Sequence, residues 1–316
     1  MTLLMQLCNW SFKGMMRSTI LRLLCICTIM LAGFSPPAVA QIILSADQDS
    51  AAVREFSDAL ARLLPERSVA YMPRATLQTQ QQFDADTQLI LLGPALLDWR
   101  LQLTQNAPAT LILQVSRVQA HHRLVNTQPA RLTFMWSDPA PERQVALLKA
   151  MLPGVKNVGV LYGNHSAFLL EQLTQALKAE QLTLKKHYWP DSFDARSLSN
   201  LLSQTDVLLG LDDTHIYNSN TIKSILLSSY ARKQVLIGPS AAFIRAGSLA
   251  STYSDQDDWL HSLQDILQTP EQSWPASLYP THYKVISNAQ VARSLGIPKA
   301  SNKKLTQQLQ RNLGQP

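Results

Sequence analysis

Short apolar runs alternate with longer stretches in which apolar residues recur at every third or fourth position. The first run is followed by Val53, Phe56, Leu60 and Leu63 at helical spacing. The apolar runs in this part of the chain are Ile42–Leu44, Leu89–Leu92 and Leu111–Leu113, and 131–136 is β-like. Strands of this kind, each followed by an amphipathic helix, predict a parallel sheet covered on both faces.

A second alternating series begins near Val155. Its predicted strands are Val158–Leu161, Leu182–Trp189, Val207–Leu209, Val235–Gly238 and Leu249–Tyr253, and its predicted helices begin near Pro141, Ser166, Asp194, Ile216 and Asp257. Two βα series joined by linkers predict an α/β protein with two lobes.

The linkers suggest where the lobes begin and end. We expect a first lobe over 41–137, to which 278–298 returns, and a second lobe over 138–277. The stretch 120–130 carries no clear period and is interpreted as a connector. The basic segment 299–316 is interpreted as a solvated C-terminal tail.

The first forty residues have the pattern of a secretory signal peptide. Lys13, Arg17 and Arg22 are their only charges, the core from Leu23 to Phe34 is apolar, and Ala38–Ala40 offers a small-x-small site. A core of about 12 residues is short for a membrane span, which needs about 20. We therefore expect cleavage after Ala40 and a periplasmic mature protein.

Cysteine usage and charge limit the chemistry of the mature part. All three cysteines, Cys8, Cys25 and Cys27, lie in the first forty residues, so no disulfide or thiolate site is expected beyond them. Setting aside the three early cations leaves 25 basic against 22 acidic residues, a net charge of +3. A balance this small and dispersed does not indicate a nucleic-acid surface.

The chain contains none of the common catalytic motifs. It has no G-x-S-x-G elbow, no H-E-x-x-H helix, no Walker loop and no G-x-G-x-x-G turn. His121-His122 is interpreted as part of a solvated connector, because adjacent residues on a strand point to opposite faces. We expect no cofactor, no bound metal and no enzymatic activity. The alternative is an exported hydrolase that uses Asp212 or Asp213 with His215.

Polar residues follow several predicted strands, at the edge where open α/β sheets bind ligands. These candidate ligand-binding residues are Ser45, Asp47 and Gly93 in the first lobe, and Asn164, Ser166, Asp212, Asp213 and Ser240 in the second. Asp213 suits a ligand ammonium, and the helix start at Asn164–Ser166 suits a carboxylate. Helix capping by Asp213 and Ser166 and ordinary turn chemistry at Asn164 are the competing interpretations.

Three segments of the second half resemble a known family. They are Leu152–Tyr162 (LPGVKNVGVLY), Gly238–Ser251 with its GPS and RAGSLAS pieces, and Ser287–Pro298 (SNAQVARSLGIP). In this order they are similar to ABC-transporter substrate-binding proteins, in particular the group that includes receptors for aromatic amino acids. The resemblance spans about Pro141 to Pro298.

The resemblance implies the type I periplasmic-binding fold, with two Rossmann-like lobes, a hinge crossed more than once and a ligand between the lobes. By position, Asn164 and Ser166 correspond to the family's polar loop, Asp212 and Asp213 to its acidic turn, and Ser240 to its serine. The sequence departs from the family in the first lobe. The glycine-rich crossing is replaced by 121–132, and the polar loop after the first strand is reduced to 45–48.

Together these features predict a monomeric periplasmic protein that delivers a small solute, an amino acid or similar zwitterion, to an inner-membrane ABC permease. The departures in the first lobe motivate an alternative, a periplasmic sensor or accessory protein of the same fold that acts through a protein partner.

Overall fold

The structure is a computed structural model that describes residues 41–80, 82–103, 107–124, 129–189 and 195–314. The predicted signal peptide, its cleavage site and the helix start at Asp194 lie outside these residues. Within the described ranges, no helix is long and apolar enough to cross a membrane.

The first sheet has six described strands in the order β11-β5-β4-β3-β1-β2. They are β1 (Gln41–Ala46), β2 (Ser68–Tyr71), β3 (Gln88–Leu92), β4 (Ala109–Leu113), β5 (Leu132–Met135) and β11 (Ser277–Leu278). All neighbouring pairs are parallel, and β3 and β4 are buried along their whole length. Burial on both faces explains why these strands appear in the sequence as continuous apolar runs.

The second sheet repeats this arrangement, with six described strands in the order β12-β10-β9-β8-β6-β7. They are β6 (Asn157–Tyr162), β7 (Thr183–Tyr188), β8 (Val207–Leu209), β9 (Leu236–Ile237), β10 (Ala250–Tyr253) and β12 (Lys284–Ser287). Only β12 runs antiparallel to its neighbour among these pairs. The α/β architecture expected from the sequence is confirmed.

The described helices lie between the strands along the chain, except for the last two, which follow β12. They are α1 (Ala51–Leu63), α2 (Arg74–Thr79), α3 (Pro94–Gln102), α4 (Arg117–Leu124), α5 (Pro141–Met151), α6 (Leu170–Ala179), α7 (Ala195–Leu202), α8 (Ile222–Ala231), α9 (Ala242–Ala246), α10 (Gln256–Leu267), α11 (Ala289–Ser294) and α12 (Asn302–Leu313).

Each sheet has apolar side chains packed on both of its faces. On one face of the first sheet, Phe56 and Leu60 of α1 join a cluster with Leu263 of α10. On the other, Leu96 of α3 and Ala120 of α4 belong to a second cluster. Full burial of one such large apolar side chain contributes about 1.5–3 kcal/mol, so these contacts hold each layer on its sheet.

Three elements near the C-terminus belong to the lobes opposite to those expected. Helix α10 was expected in the second lobe, but it packs with α1 on the first sheet. Strand β12 and helix α11 were expected to return to the first lobe with 278–298. Instead, β12 pairs with β10 of the second sheet, and α11 packs in the core of that sheet. An amphipathic pattern shows that one face is buried but does not show against which sheet, and this is the reason for these differences.

The segments interpreted as connector and tail are also partly regular. Helix α4 occupies most of the described part of 120–130. Strand β2, at the edge of the first sheet, was not predicted, because no apolar run marks it in the sequence. The C-terminal segment forms α12, in which Leu305 and Leu309 are buried against the core that contains α5. The spacing of four residues between these leucines places them on one face of the helix.

The chain passes between the two sheets at three places in the described residues. The first crossing follows β5 and leads to α5, the second follows β10, and the third joins β11 to β12. These three segments line one side of the junction between the sheets, where the candidate site lies.

Replacing Leu309 with alanine tests whether α12 is part of the core. Since Leu309 is completely buried, Leu309→Ala should lower the free energy of unfolding by about 2–5 kcal/mol, measured by urea denaturation. The matched change Gln308→Ala, on the exposed face of the same helix, should leave it within about 0.5 kcal/mol. Equal stability of the two variants would restore the interpretation of 299–316 as a tail.

Candidate functional site

The loops at the carboxyl ends of the strands meet between the two sheets. Arg117, after β4, donates from Nη1 to Oε1 of Gln172 on α6 at 2.6 Å. A second contact brings His122 of α4 to 2.6 Å from His165, which follows β6. The sheet edge predicted from the sequence is therefore where the two lobes touch.

Ser166 and Asp213, expected to line the cleft, form a buried pair instead. The Ser166 hydroxyl donates to Oδ2 of Asp213 at 2.5 Å and accepts from the backbone N–H of Gly163 at 3.1 Å. The other Asp213 oxygen accepts from the backbone N–H of His215 at 3.0 Å. Both side chains are buried, so the pair ties the loop after β6 to the loop after β8 and does not face open space.

Asp47 and Gly93 have a similar structural role in the first lobe. The Asp47 carboxylate accepts from the backbone N–H groups of Ala95 and Leu96 at 2.9 and 2.8 Å, at the start of α3. Gly93 adopts a φ of 110°, and a Cβ there would lie 2.4 Å from Oδ2 of Asp47. Glycine is required at this position both by its backbone conformation and by the close approach of the carboxylate.

The remaining predicted site residues are dispersed. Asn164 is exposed and accepts from the Tyr188 hydroxyl at 3.1 Å. Ser45 is completely buried, and its hydroxyl has no hydrogen-bond partner among the described residues. Ser240 and Asp212 lie at the junction of the sheets, each lining a cavity there.

A charged cluster that the sequence did not single out occupies the centre of the junction. Asp138, on the first crossing, accepts from the backbone N–H of Arg117 at 2.8 Å and from its Nε at 2.6 Å. Both side chains are largely buried, at 12% and 3% exposure for Arg117 and Asp138. Their position directly after β4 and β5 is the signal that could have identified them.

Asp212 brings a second carboxyl group to this cluster from the other lobe. Burial, followed by the negative charge of Asp138, raises the pKa of Asp212 to about 6, against the opposing hydrogen bond with Ser116. Two carboxyl groups that repel each other in a partly dry site are suited to binding a cation or sharing a proton.

Two cavities flank the cluster. One, of about 240 Å³, is bordered by all three crossings and contains Trp136, Asp138, Arg143, Ser240 and Tyr283 among its lining residues. In it the guanidinium of Arg143 lies over the ring of Tyr283, 3.9 Å from the ring centroid, and burial lowers the pKa of Arg143.

The other cavity, of about 600 Å³, lies between α4, α6 and the third crossing. Arg117, Trp136, Phe168 and Tyr279 are among the residues that line it. Both cavities thus present aromatic faces together with a guanidinium group.

Comparison with known proteins supports the family resemblance. Residues 126–259 match the family model described as ABC transporter substrate binding protein. The search of curated proteins gives no significant match.

Two solved structures have the same overall fold. One is the ABC domain in complex with L-Trp from Streptococcus pneumonia, at TM-score 0.52 and 17% identity, covering 85% of this chain and 99% of that one. The other is the ligand-free, open structure of a substrate binding protein with adhesive properties from Clostridium difficile, at TM-score 0.61 and 16% identity, covering 84% and 97%. The type I periplasmic-binding fold is confirmed.

The matched family also bears on catalysis. The model that matches residues 126–259 describes a family of non-enzymatic solute-binding proteins of ABC transporters, in agreement with the expectation that the chain is not an enzyme. The hydrolase alternative is not supported, because Oδ1 of Asp213 already accepts from the backbone of His215 and Oδ2 from Ser166.

Replacing Asp213 tests its structural role. Asp213→Ala leaves the buried hydroxyl of Ser166 and the N–H of His215 without their acceptor, so the free energy of unfolding should fall by about 2–3 kcal/mol. Chemical denaturation measures this, with the exposed Asp58→Ala on α1 as the matched control. A stability equal to that of the control would mean that the carboxylate is free to bind a ligand.

Replacing Asp212 tests the cost of a carboxylate that is buried beside Asp138. Its pKa is raised from 3.8 to about 6, so the folded protein binds a proton more tightly than the unfolded chain. The contribution of protonated Asp212 to the free energy of unfolding is therefore fully present below about pH 4 and is lost as the pH rises through about 6. Asp212→Asn should stabilise the protein by about 1–3 kcal/mol at pH 7.5 and by much less at pH 4. Urea denaturation at both pH values measures the difference, and a gain that does not depend on pH contradicts it.

Proposed function

We propose that this chain, a substrate-binding protein of the ABC-transporter type, binds a small zwitterionic solute such as an amino acid between its two sheets. The observation that carries the proposal is the charged cluster at the junction, where Arg117 and Asp138 of the first lobe lie close to Asp212 and Arg143 of the second. Binding at such a junction joins both lobes to one ligand, as hinge closure requires.

The smaller cavity has groups for both charges of the solute. The planar guanidinium of Arg143 is suited to a carboxylate, and the Ser240 hydroxyl borders the same cavity. Asp138 borders the same cavity and keeps free lone pairs beside the two hydrogen bonds from Arg117, so it suits an ammonium group. A volume of about 240 Å³ favours a small molecule over a peptide or a large saccharide.

The aromatic lining of this cavity favours a solute with an apolar part. Trp136, Trp259 and Tyr283 border it and offer ring faces beside the charged groups. The Streptococcus structure with the same fold is of a complex with L-Trp, which supports an amino acid as the class of solute. This assignment places the ammonium at Asp138 rather than at Asp213, whose carboxylate holds two loops together.

The proposed site of action is the periplasm, with delivery of the solute to an inner-membrane ABC permease. The basic, apolar and A-x-A pattern of the first forty residues supports export and cleavage after Ala40. The family whose model matches 126–259 consists of substrate-binding proteins of ABC transporters, which supports the permease as partner.

A screen with free L-amino acids, sugars and nucleosides tests the proposal. A zwitterion present at about 100 times its dissociation constant should stabilise the fold by about 2.7 kcal/mol, visible as a higher melting temperature. Sugars and nucleosides, which lack paired opposite charges, should not. If no amino acid raises the melting temperature, or a sugar does so instead, the proposal is wrong.

Site variants then locate the bound solute by calorimetry. Arg143→Met keeps the apolar stem but removes the charge, and should weaken binding by about 10- to 150-fold. Ser240→Ala, at a partly exposed position, should weaken it less and without a change in folding. Arg62→Met, at an exposed position of α1, is the matched control and should bind normally. Wild-type affinity in both site variants would place the solute elsewhere.

A further inference from the structure

Four histidines meet where α4 of the first lobe touches the second lobe. His121 and His122 lie on α4, His165 follows β6, and His215 follows β8. Nε2 of His122 lies 2.6 Å from Nδ1 of His165. The ring of His165 stacks on that of His215 with centroids 4.0 Å apart, and His121 stacks on Phe168 at the same separation.

The contact between His122 and His165 depends on protonation. At 2.6 Å the two nitrogens share one proton, so one imidazole must present an unprotonated nitrogen as the acceptor. When both rings are protonated, both nitrogens carry a hydrogen and both rings are cationic. The contact then changes from a hydrogen bond between the lobes into a repulsion between them.

The surroundings of His122 favour its neutral form. Desolvation, and then the neighbouring His165, His121, His215 and Arg123, lower the pKa of His122 from its ordinary value of 6.5. The nearest carboxylate is that of Asp213, at 3.4 Å from Nδ1 of His215, and it already accepts from Ser166 and from the backbone. The elements around the cluster also carry charged groups, among them Asp98, Arg117, Arg123, Asp138, Glu142, Asp212 and Asp213.

The cluster is not arranged as a metal centre. In the parts of the chain that the structure describes, no group of three or more histidine or carboxylate side chains is placed to hold a metal ion. The stacking of His165 on His215 also aligns their rings face to face, so that their nitrogens do not converge on one point. Contact between the lobes is the remaining role for these four side chains.

We propose that His121, His122, His165 and His215 form a pH-sensitive latch, which holds the two lobes together when the rings are neutral and releases them when the rings are protonated. The contact is present above the ordinary histidine pKa of about 6.5 and is lost as the pH falls through the lowered pKa of His122. The latch rests on the proposed function only for its consequence, that acidification promotes release of the solute.

The distance between the lobes tests the latch without any solute. Spin labels are placed at the exposed positions Gln78→Cys on α2 and Lys178→Cys on α6, in a chain whose Cys8, Cys25 and Cys27 are replaced by serine. Pulsed electron resonance should show one distance distribution at pH 7.5 and a shifted population at pH 5.5. An unchanged distribution between these pH values, in protein with unchanged circular dichroism, overturns the proposal.

Two variants assign the response to the latch. In His122→Gln/His165→Gln, glutamine keeps a hydrogen bond but cannot take up a proton, so the distribution should be the same at pH 7.5 and 5.5. His187→Gln, in the second lobe outside the cluster, should respond to pH as the wild type does. If the double variant does not fold, His165→Gln alone should reduce the shift. A full response in these variants would place the pH sensor elsewhere, for example at Asp212.

The solute assay separates this proposal from the proposed function. If a bound amino acid has been found, its dissociation constant should rise about tenfold when the closed fraction falls to one tenth at low pH. That rise should disappear in the double variant. If no solute binds but the distance still responds to pH through His122 and His165, the latch stands and the proposed function fails.

Discussion

The ion pair between Arg117 and Asp138 fixes the positions of helix α4 and the first crossing at the junction of the two sheets. Arg117 begins α4 and binds Asp138 through its backbone N–H and its Nε, which fixes the start of α4 against the first crossing. The far end of the same guanidinium reaches Gln172 of the second lobe. The histidines of α4 and the wall that bears Trp136 both depend on this pair for their position. A buried ion pair of this kind is costly to break, because the partner that remains is an uncompensated charge.

A second constraint appears once in each lobe. In the first, Asp47 after β1 accepts from the helix that follows the neighbouring strand β3. In the second, Asp213 after β8 accepts from Ser166, which follows the neighbouring strand β6. In both, a carboxylate at the sheet edge satisfies donors of the adjacent loop, so the edge is rigid before any ligand arrives. The polar groups that remain for a ligand are those that border the cavities, namely Asp138, Asp212 and Ser240.

The junction combines an ion pair that fixes its geometry with two groups, Asp212 and His122, whose pKa values are shifted by their surroundings. Arg117 and Asp138 form a largely buried ion pair, and its two hydrogen bonds hold their geometry. Burial raises the pKa of Asp212 to about 6, and desolvation lowers the pKa of His122 from 6.5. A binding protein built in this way can keep its fold while the balance between its lobes shifts with proton concentration.

The sequence by itself determined the fold class and the central strands, because a parallel strand buried on both faces leaves a continuous apolar run such as Leu89–Leu92. It did not reveal the edge strand β2. It also located the sheet edges, since polar residues at Asp212 and Ser240 directly follow such runs. Tertiary structure alone decided which lobe α10 and β12 joined, because their patterns are equally satisfied by either core. It also decided that Asp213 points inward and Asp138 toward a cavity. Both are polar residues after a strand, both accept hydrogen bonds on each carboxylate oxygen, and packing alone leaves Asp138 at the border of a cavity.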